Sequence, residues 1–222
     1  MTFMHEWTHG LIAWLGGYKS SPFAIHYSSN WWTLWGIDEA VPYQTILSAG
    51  KKGLVAAIAI APMIDGFIFF LIGLKLLSLQ SIQKRWVLFS FVYWWTWMEI
   101  AEIYSYIPIR TFAQQDDIYN FLHATGLSPW LVFILGTPLV IWGYQKMIRV
   151  EEDRACRILA IRRKWGRFMF LFITLMIGFW YYGGIAFIFV YPEIKGNILS
   201  WISLALIPIC LIALRKRYTA VA

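Results

Sequence analysis

Long apolar runs separated by short polar joints dominate the chain. They fall at about 53–79, 86–107, 128–148, 165–190 and 197–214, with a shorter one at about 2–16. Several reach the roughly 18–20 residues that a bilayer-crossing helix needs, so six membrane-spanning helices are predicted. The first is short: fifteen residues rise roughly 22 Å, against a hydrocarbon thickness of about 30 Å. It either enters from the interface or begins upstream in the natural chain. Segment 17–52 breaks the pattern. It follows Gly16 and carries AIHYSSNWWTLW, rich in aromatics and interrupted by Ser-Ser-Asn, which predicts a hairpin or a short pair of strands. Trp31, Trp32 and Trp35 there suit the headgroup level. The expected architecture is an all-α multi-pass membrane protein of about six transmembrane helices, with a small membrane-associated β-hairpin after the first.

Composition strengthens this reading. Hydrophobic residues make up 59% of the 222 and charged residues 14%, whereas soluble domains carry about 25% charged residues. The net charge of +7 does not indicate nucleic acid, because the basic residues sit beside apolar runs. The 146–167 loop, the Lys84-Arg85 turn and Arg215, Lys216 and Arg217 together hold 13 Lys and Arg. Lys19, Lys51, Lys52, Arg110 and Lys195 fall on the opposite face. Basic loops collect on the cytoplasmic side, which predicts both termini inside. Cys156 lies in the basic loop and Cys210 in an apolar run, so neither a disulfide nor a cysteine metal pair is expected.

Chemistry enters at the first run, MTFMHEWTHGLIAWLGG, where His5, Glu6 and His9 spell H-E-x-x-H. On a helix, residues four apart share a face, so both imidazoles can reach one cation. Glu6 sits about 100° further round and can reach water carried by that cation. Two His leave a catalytic zinc (Zn2+) one protein ligand short, with the last position for water. Ionisable groups inside a span are costly and mark function. His26 and His123 read as surface or interface histidines. The acidic candidates for the missing ligand are Asp65, Glu99, Glu102, Asp116 and Asp117.

MHEWTHGLIAWLGG, the hairpin-like stretch and then AAIAIAPMIDGFIFF together resemble the site-2 protease group of intramembrane zinc metalloproteases. In that group a small-residue Gly-Pro-x-x-Asn-like motif follows the hairpin. A third core segment carries Asn-x-x-Pro and an Asp that completes the zinc site. Here Ala61-Pro62-Met63-Ile64-Asp65 stands for the second motif, with Ala for Gly and Asp for Asn. SYIPIRTFAQQDDIYNF is similar to the third, with Ser105 for Asn, Pro108 retained, a longer spacing to Asp117 and no following Gly. The resemblance covers about residues 3–125. It implies zinc on His5, His9 and Asp117, with Asp116 the next choice, and Glu6 as general base. Pro108 can break the third helix so that the acidic loop folds back. The implied substrate is a transmembrane or membrane-proximal protein segment, unwound and paired along the 23–35 hairpin at Tyr27, Ser28 and Asn30. The expected setting is the cytoplasmic membrane of a prokaryote. Residues 1–125 form the protease-like core; residues 126–222 add transmembrane helices and the basic loop.

Other readings stay open. Asp65 can be a ligand, a partner of a His ring or a group bonding substrate backbone. Glu99 and Glu102 share a face at i, i+3; one could complete a glutamate-type zinc site, or both could line a polar path. The chain could thus be a non-catalytic membrane subunit that retains a metal, or an ion transporter using Asp65, Glu99 and Glu102. Transport predicts flux that survives His5→Ala. The aromatic runs at 93–97 and 180–182 read as belt and packing residues, and Gly183-Gly184 as a close helix contact.

Overall fold

A computed structural model describes residues 2–27, 37–185 and 194–219, the last including backbone only at 216–219. The described residues are helical, with no strand among them. In chain order the helices are α1 (Thr2–Leu15), α2 (Tyr43–Ser48), α3 (Lys52–Ser78), α4 (Gln80–Gln83), α5 (Trp86–Tyr104), α6 (Asp116–Thr125), α7 (Pro129–Lys146), α8 (Glu152–Ile158), α9 (Lys164–Leu175) and α10 (Ile194–Thr219). Wider π-type turns continue α5 through Ser105–Ile109, α7 through Met147–Glu151 and α9 through Met176–Ile185.

Four stretches are long and apolar enough to cross a membrane: Lys52–Ser78, Pro129–Ile158, Lys164–Gly184 and Ile194–Arg215. Their outward faces support the same conclusion. Ile64, Ile68, Leu71 and Ile72 on α3 are exposed, as are Ile134, Leu135, Leu139 and Ile141 on α7. Branched aliphatic side chains at helical spacing with nothing packed over them are suited to hydrocarbon rather than water. The chain is thus a membrane protein by length and composition of its helices.

Two expected spans are not among these four. Helix α1 has 14 residues, about 21 Å. Helix α5 carries Glu99 and Glu102 in its last two turns, which dilutes its apolar character. The expected β-hairpin is not seen among the described residues. Its tip, including Ser28, Asn30, Trp31, Trp32 and Trp35, lies outside the described residues. Its two ends meet only in a single antiparallel bridge, His26 with Asp38.

The interior is built around α5. Trp97, Tyr93, Phe89 and Ile100 are fully buried among Phe70 of α3, Leu171 and Leu175 of α9, and Tyr144 of α7. Trp97 and Tyr104 each pack a tilted ring against Tyr144, with ring centroids 4.8 and 4.9 Å apart. The aromatic run at 93–97 is therefore largely core. This packing draws on both sides of residue 125. Gly183 makes the close contact its sequence suggests, since a Cβ there would run into the Ser203 hydroxyl and the Tyr104 ring. A smaller cluster, Ala13, Ile46, Val55, Ile58 and Ala124, joins α1, α2, α3 and α6. It fixes the helices that carry the polar site.

Candidate metal centre

His5 and His9 lie one turn apart on the inner face of α1, 5% and 1% exposed. Gly10 lets that helix approach the 19–24 segment, because a Cβ there would collide with the Pro22 carbonyl. The two rings meet edge to face, with centroids 4.9 Å apart and their Nε2 atoms 3.2 Å apart. Asp117, at the start of α6, closes the triangle. Its Oδ2 is 2.9 Å from His5 Nε2 and its Oδ1 is 3.1 Å from His9 Nε2.

Pro108 explains how α6 returns to α1. It lies within the π-type turn Ser105–Ile109, where it cannot supply an N–H to the helical ladder. A short 3-10 turn, Arg110–Phe112, follows. Asp116 then adopts φ +75°, a left-handed conformation costing roughly 1–2 kcal/mol for a residue with a Cβ. That turn points Asp117 at the imidazoles. Asp116 itself faces Arg110, with Oδ2 3.6 Å from a guanidinium nitrogen, so the second-choice ligand is directed elsewhere. Burial alone would raise the Asp117 pKa, but His9 and His5 against it reverse the shift and hold it well below the ordinary carboxylate range.

Each imidazole has a partner for its other nitrogen. His9 Nδ1 lies 2.8 Å from the Ile58 carbonyl, a geometry in which Nδ1–H donates and Nε2 keeps a free lone pair. The carbonyl is available for a local reason. Pro62 stands four residues after Ile58 and has no N–H to offer it. The proline in the Ala-Pro-x-x-Asp motif thus orients a histidine on another helix. His5 Nδ1 faces Glu102 Oε1 at 3.5 Å, and its ring stacks on Tyr106 with centroids 4.9 Å apart. The Arg110 guanidinium covers that tyrosine at 4.4 Å.

We expect Pro62→Ala to separate the two effects of this proline. The restored N–H competes with His9 for the Ile58 carbonyl. Helix stability then rises, Pro being about 3 kcal/mol less favourable than Ala in a helix interior, while retention of zinc added to the protein falls about 10–100-fold. Chelator competition and thermal unfolding measure the pair. Unchanged retention would remove the carbonyl from the site.

The remaining acidic candidates lie to one side. Asp65 accepts a hydrogen bond from the Thr8 hydroxyl. With Met4, His5, Pro62, Glu99 and Glu102 it borders a cavity of about 10 Å³, near the space one water needs. Glu99 is 2% exposed. Neither Asp65 nor Glu99 joins the triangle. His26 is an exposed partner of Asp38 at 3.7 Å, and His123 stacks on Tyr119. Cys156 and Cys210 are both free. Tyr27 is exposed and packs near Phe3.

The donor set suits zinc in kind and size. Two imidazoles and a carboxylate are common zinc ligands, and tetrahedral bonds of about 2.0–2.1 Å place ligand atoms about 3.3 Å apart. The two imidazole nitrogens stand 3.2 Å apart, close to that, and each has its own oxygen of the Asp117 carboxylate at 2.9 or 3.1 Å. A Glu6 carboxylate oxygen also lies within 4.8 Å of a His9 ring nitrogen and of a Glu39 oxygen. Sequence reasoning missed Glu39, Tyr106 and the Ile58 carbonyl. Tyr106 could have been found from its i+4 spacing to Glu102, and the carbonyl from its i−4 spacing to Pro62.

The chain matches no protein-family model, no curated protein and no solved structure.

Proposed function

We propose that this protein is an intramembrane zinc endopeptidase acting on transmembrane or membrane-proximal segments of other proteins. The observation that carries the reading is the convergence of His5 Nε2, His9 Nε2 and the Asp117 carboxylate on one point, with Glu6 beside it on the same helix. The resemblance of the three motifs to site-2 proteases agrees with it. His5, His9 and Asp117 hold the zinc, while the Ile58 carbonyl and Glu102 orient the two rings. When bound, zinc supplies a Lewis acid that polarises a carbonyl and acidifies water. Glu6, 8% exposed, takes a proton from the attacking water and returns it to the leaving amine.

A helix hides its peptide bonds, so the substrate unwinds locally and lies extended by the 23–27 segment. Tyr27 begins the proposed pairing edge; Ser28 and Asn30, the other residues expected to bind substrate, lie outside the described residues. Trp7, Leu11 and Trp14 expose an apolar side of α1 along which a lipid-borne segment approaches.

The test is cleavage of a synthetic transmembrane peptide with a helix-breaking centre by purified, zinc-loaded protein. We expect chelator to stop cleavage and added zinc to restore it. A preparation holding one zinc per chain and cutting nothing would instead be a non-catalytic membrane subunit.

A further inference from the structure

Two stretches that the metal centre does not use repeat one pattern. KRWVLFSF at 84–91 and RKWGRFMF at 163–170 each read two basic residues, Trp, any two residues, Phe, any one residue, Phe. The first opens α5 and the second opens α9. One basic pair before a tryptophan at the start of an apolar helix is ordinary in a membrane protein. Two copies gain meaning when the fold brings them to one level.

Helices α5 and α9, the latter with its π-type continuation, pack side by side and run the same way. The Tyr93 ring lies 5.3 Å from that of Phe170, and its hydroxyl is 3.5 Å from the Thr174 hydroxyl. Further along, a Cβ at Gly178 would meet the Trp97 ring, and Tyr104 packs on Phe179 at 5.6 Å. Both numberings rise together, so the two helix starts share one end. Back from the Tyr93–Phe170 contact, Trp86 is seven residues away and Trp165 five, about 10 and 8 Å at 1.5 Å per residue. The two motifs therefore stand at one level, and the span Lys164–Gly184 puts that level at a bilayer edge.

Lys84, Arg85, Arg163 and Lys164 are exposed there, and none of them forms a salt bridge among the described residues. Glu151 of the basic loop is buried and faces Lys146 and Arg154 instead. Trp86 and Trp165 are exposed as well, and Val87, Phe91 and Ile173 continue an open apolar surface along the two helices. Unpaired cations, then tryptophan, then apolar side chains follow the order of phosphate, glycerol and acyl chain in a phospholipid. A soluble anion would use the cations alone.

We propose that the paired motifs form a docking surface for anionic phospholipid, with the four cations on headgroup phosphates and Trp86 and Trp165 at glycerol level. The surface stands apart from the metal centre: Glu102, which faces His5, is sixteen residues beyond Trp86 on α5, about 24 Å. Its effect is to set the depth of α5, a helix that is not among the four stretches apolar enough to cross on their own.

The test offers full-length protein in detergent equal amounts of phosphatidylglycerol and phosphatidylcholine and counts retained lipids by native mass spectrometry. We expect wild type to retain phosphatidylglycerol preferentially and to lose the preference as salt rises, because exposed charges are screened. Lys84→Gln with Arg85→Gln, and Arg163→Gln with Lys164→Gln, should each weaken phosphatidylglycerol binding about 25-fold, at about fivefold for each Lys or Arg near an anionic surface. Lys51→Gln with Lys52→Gln removes the same charge from exposed positions at the start of α3 and should bind as wild type does. Equal retention of the two lipids by wild type, or a preference that salt does not touch, would overturn the proposal without any variant. An equal loss in the Lys51 and Lys52 variant would overturn it as an effect of net charge. Displacement of phosphatidylglycerol by inorganic phosphate at the same concentration would overturn it in favour of a free-anion site.

Discussion

Glu6→Gln is expected to keep one zinc ion per chain and to lower cleavage of a transmembrane peptide by roughly 10²–10⁴-fold, the range assigned to general acid–base catalysis. Glutamine has the shape of glutamate but cannot take up and return a proton. Zinc stays because Glu6 stands outside the His5, His9 and Asp117 triangle, whose edges are 2.9, 3.1 and 3.2 Å. The burial of Glu6 beside His9 sets the sign of a second effect. Removing one carboxylate from the pair it forms with Glu39 relieves like-charge repulsion, so the variant folds at least as well as wild type in chelator. Metal analysis, a cleavage assay and thermal unfolding on one preparation separate the roles. Loss of zinc would make Glu6 a ligand. Zinc retained with cleavage intact would reject it as the base.

How much of this was legible from sequence depends on how local each signal is. His5 and His9 are four residues apart on a helix, so their shared face follows from 3.6-residue periodicity alone. Asp117 was within reach of reasoning because Pro108 announces a break, though no spacing rule says where the chain lands after it. The π-type turn and the left-handed Asp116 set that, and both depend on packing of α6 against α3. Pro62 was noticed as part of a motif, but its consequence, a free Ile58 carbonyl, acts on another helix. Glu39 carried no signal because its position depends on Lys19, His26 and Asp38 converging from separate segments. The hairpin expectation weighted aromatic content in segment 17–52. Pairing needs runs that alternate against a partner, and the ends of this segment provide only one bridge. The α5 span was read from an apolar run, and with Glu99 and Glu102 in its last two turns α5 is not among the four stretches long and apolar enough to cross by composition.

Asp117→Ala is expected to remove zinc almost completely, by well over the 10–100-fold that loss of an outer partner costs. Two imidazoles alone leave tetrahedral zinc two ligands short. Glu102→Ala takes away only the group facing His5 Nδ1 at 3.5 Å, so its cost should stay within about 10–100-fold. The ranking of the two variants therefore distinguishes a site completed by aspartate from one completed by glutamate, and a reversed order would make Glu102 the ligand. Stability gives an independent readout. Zinc binds the folded state alone, so chelator should lower the wild-type unfolding temperature and leave Asp117→Ala unchanged. Without metal, the variant also loses the carboxylate that accepts from His5, and a buried ring nitrogen left unpaired costs about 1–3 kcal/mol. Asp117→Asn keeps a hydrogen-bonding oxygen but drops the charge. It should recover much of that stability and little of the zinc, because a cation in a buried site requires the anion that Asp117 provides.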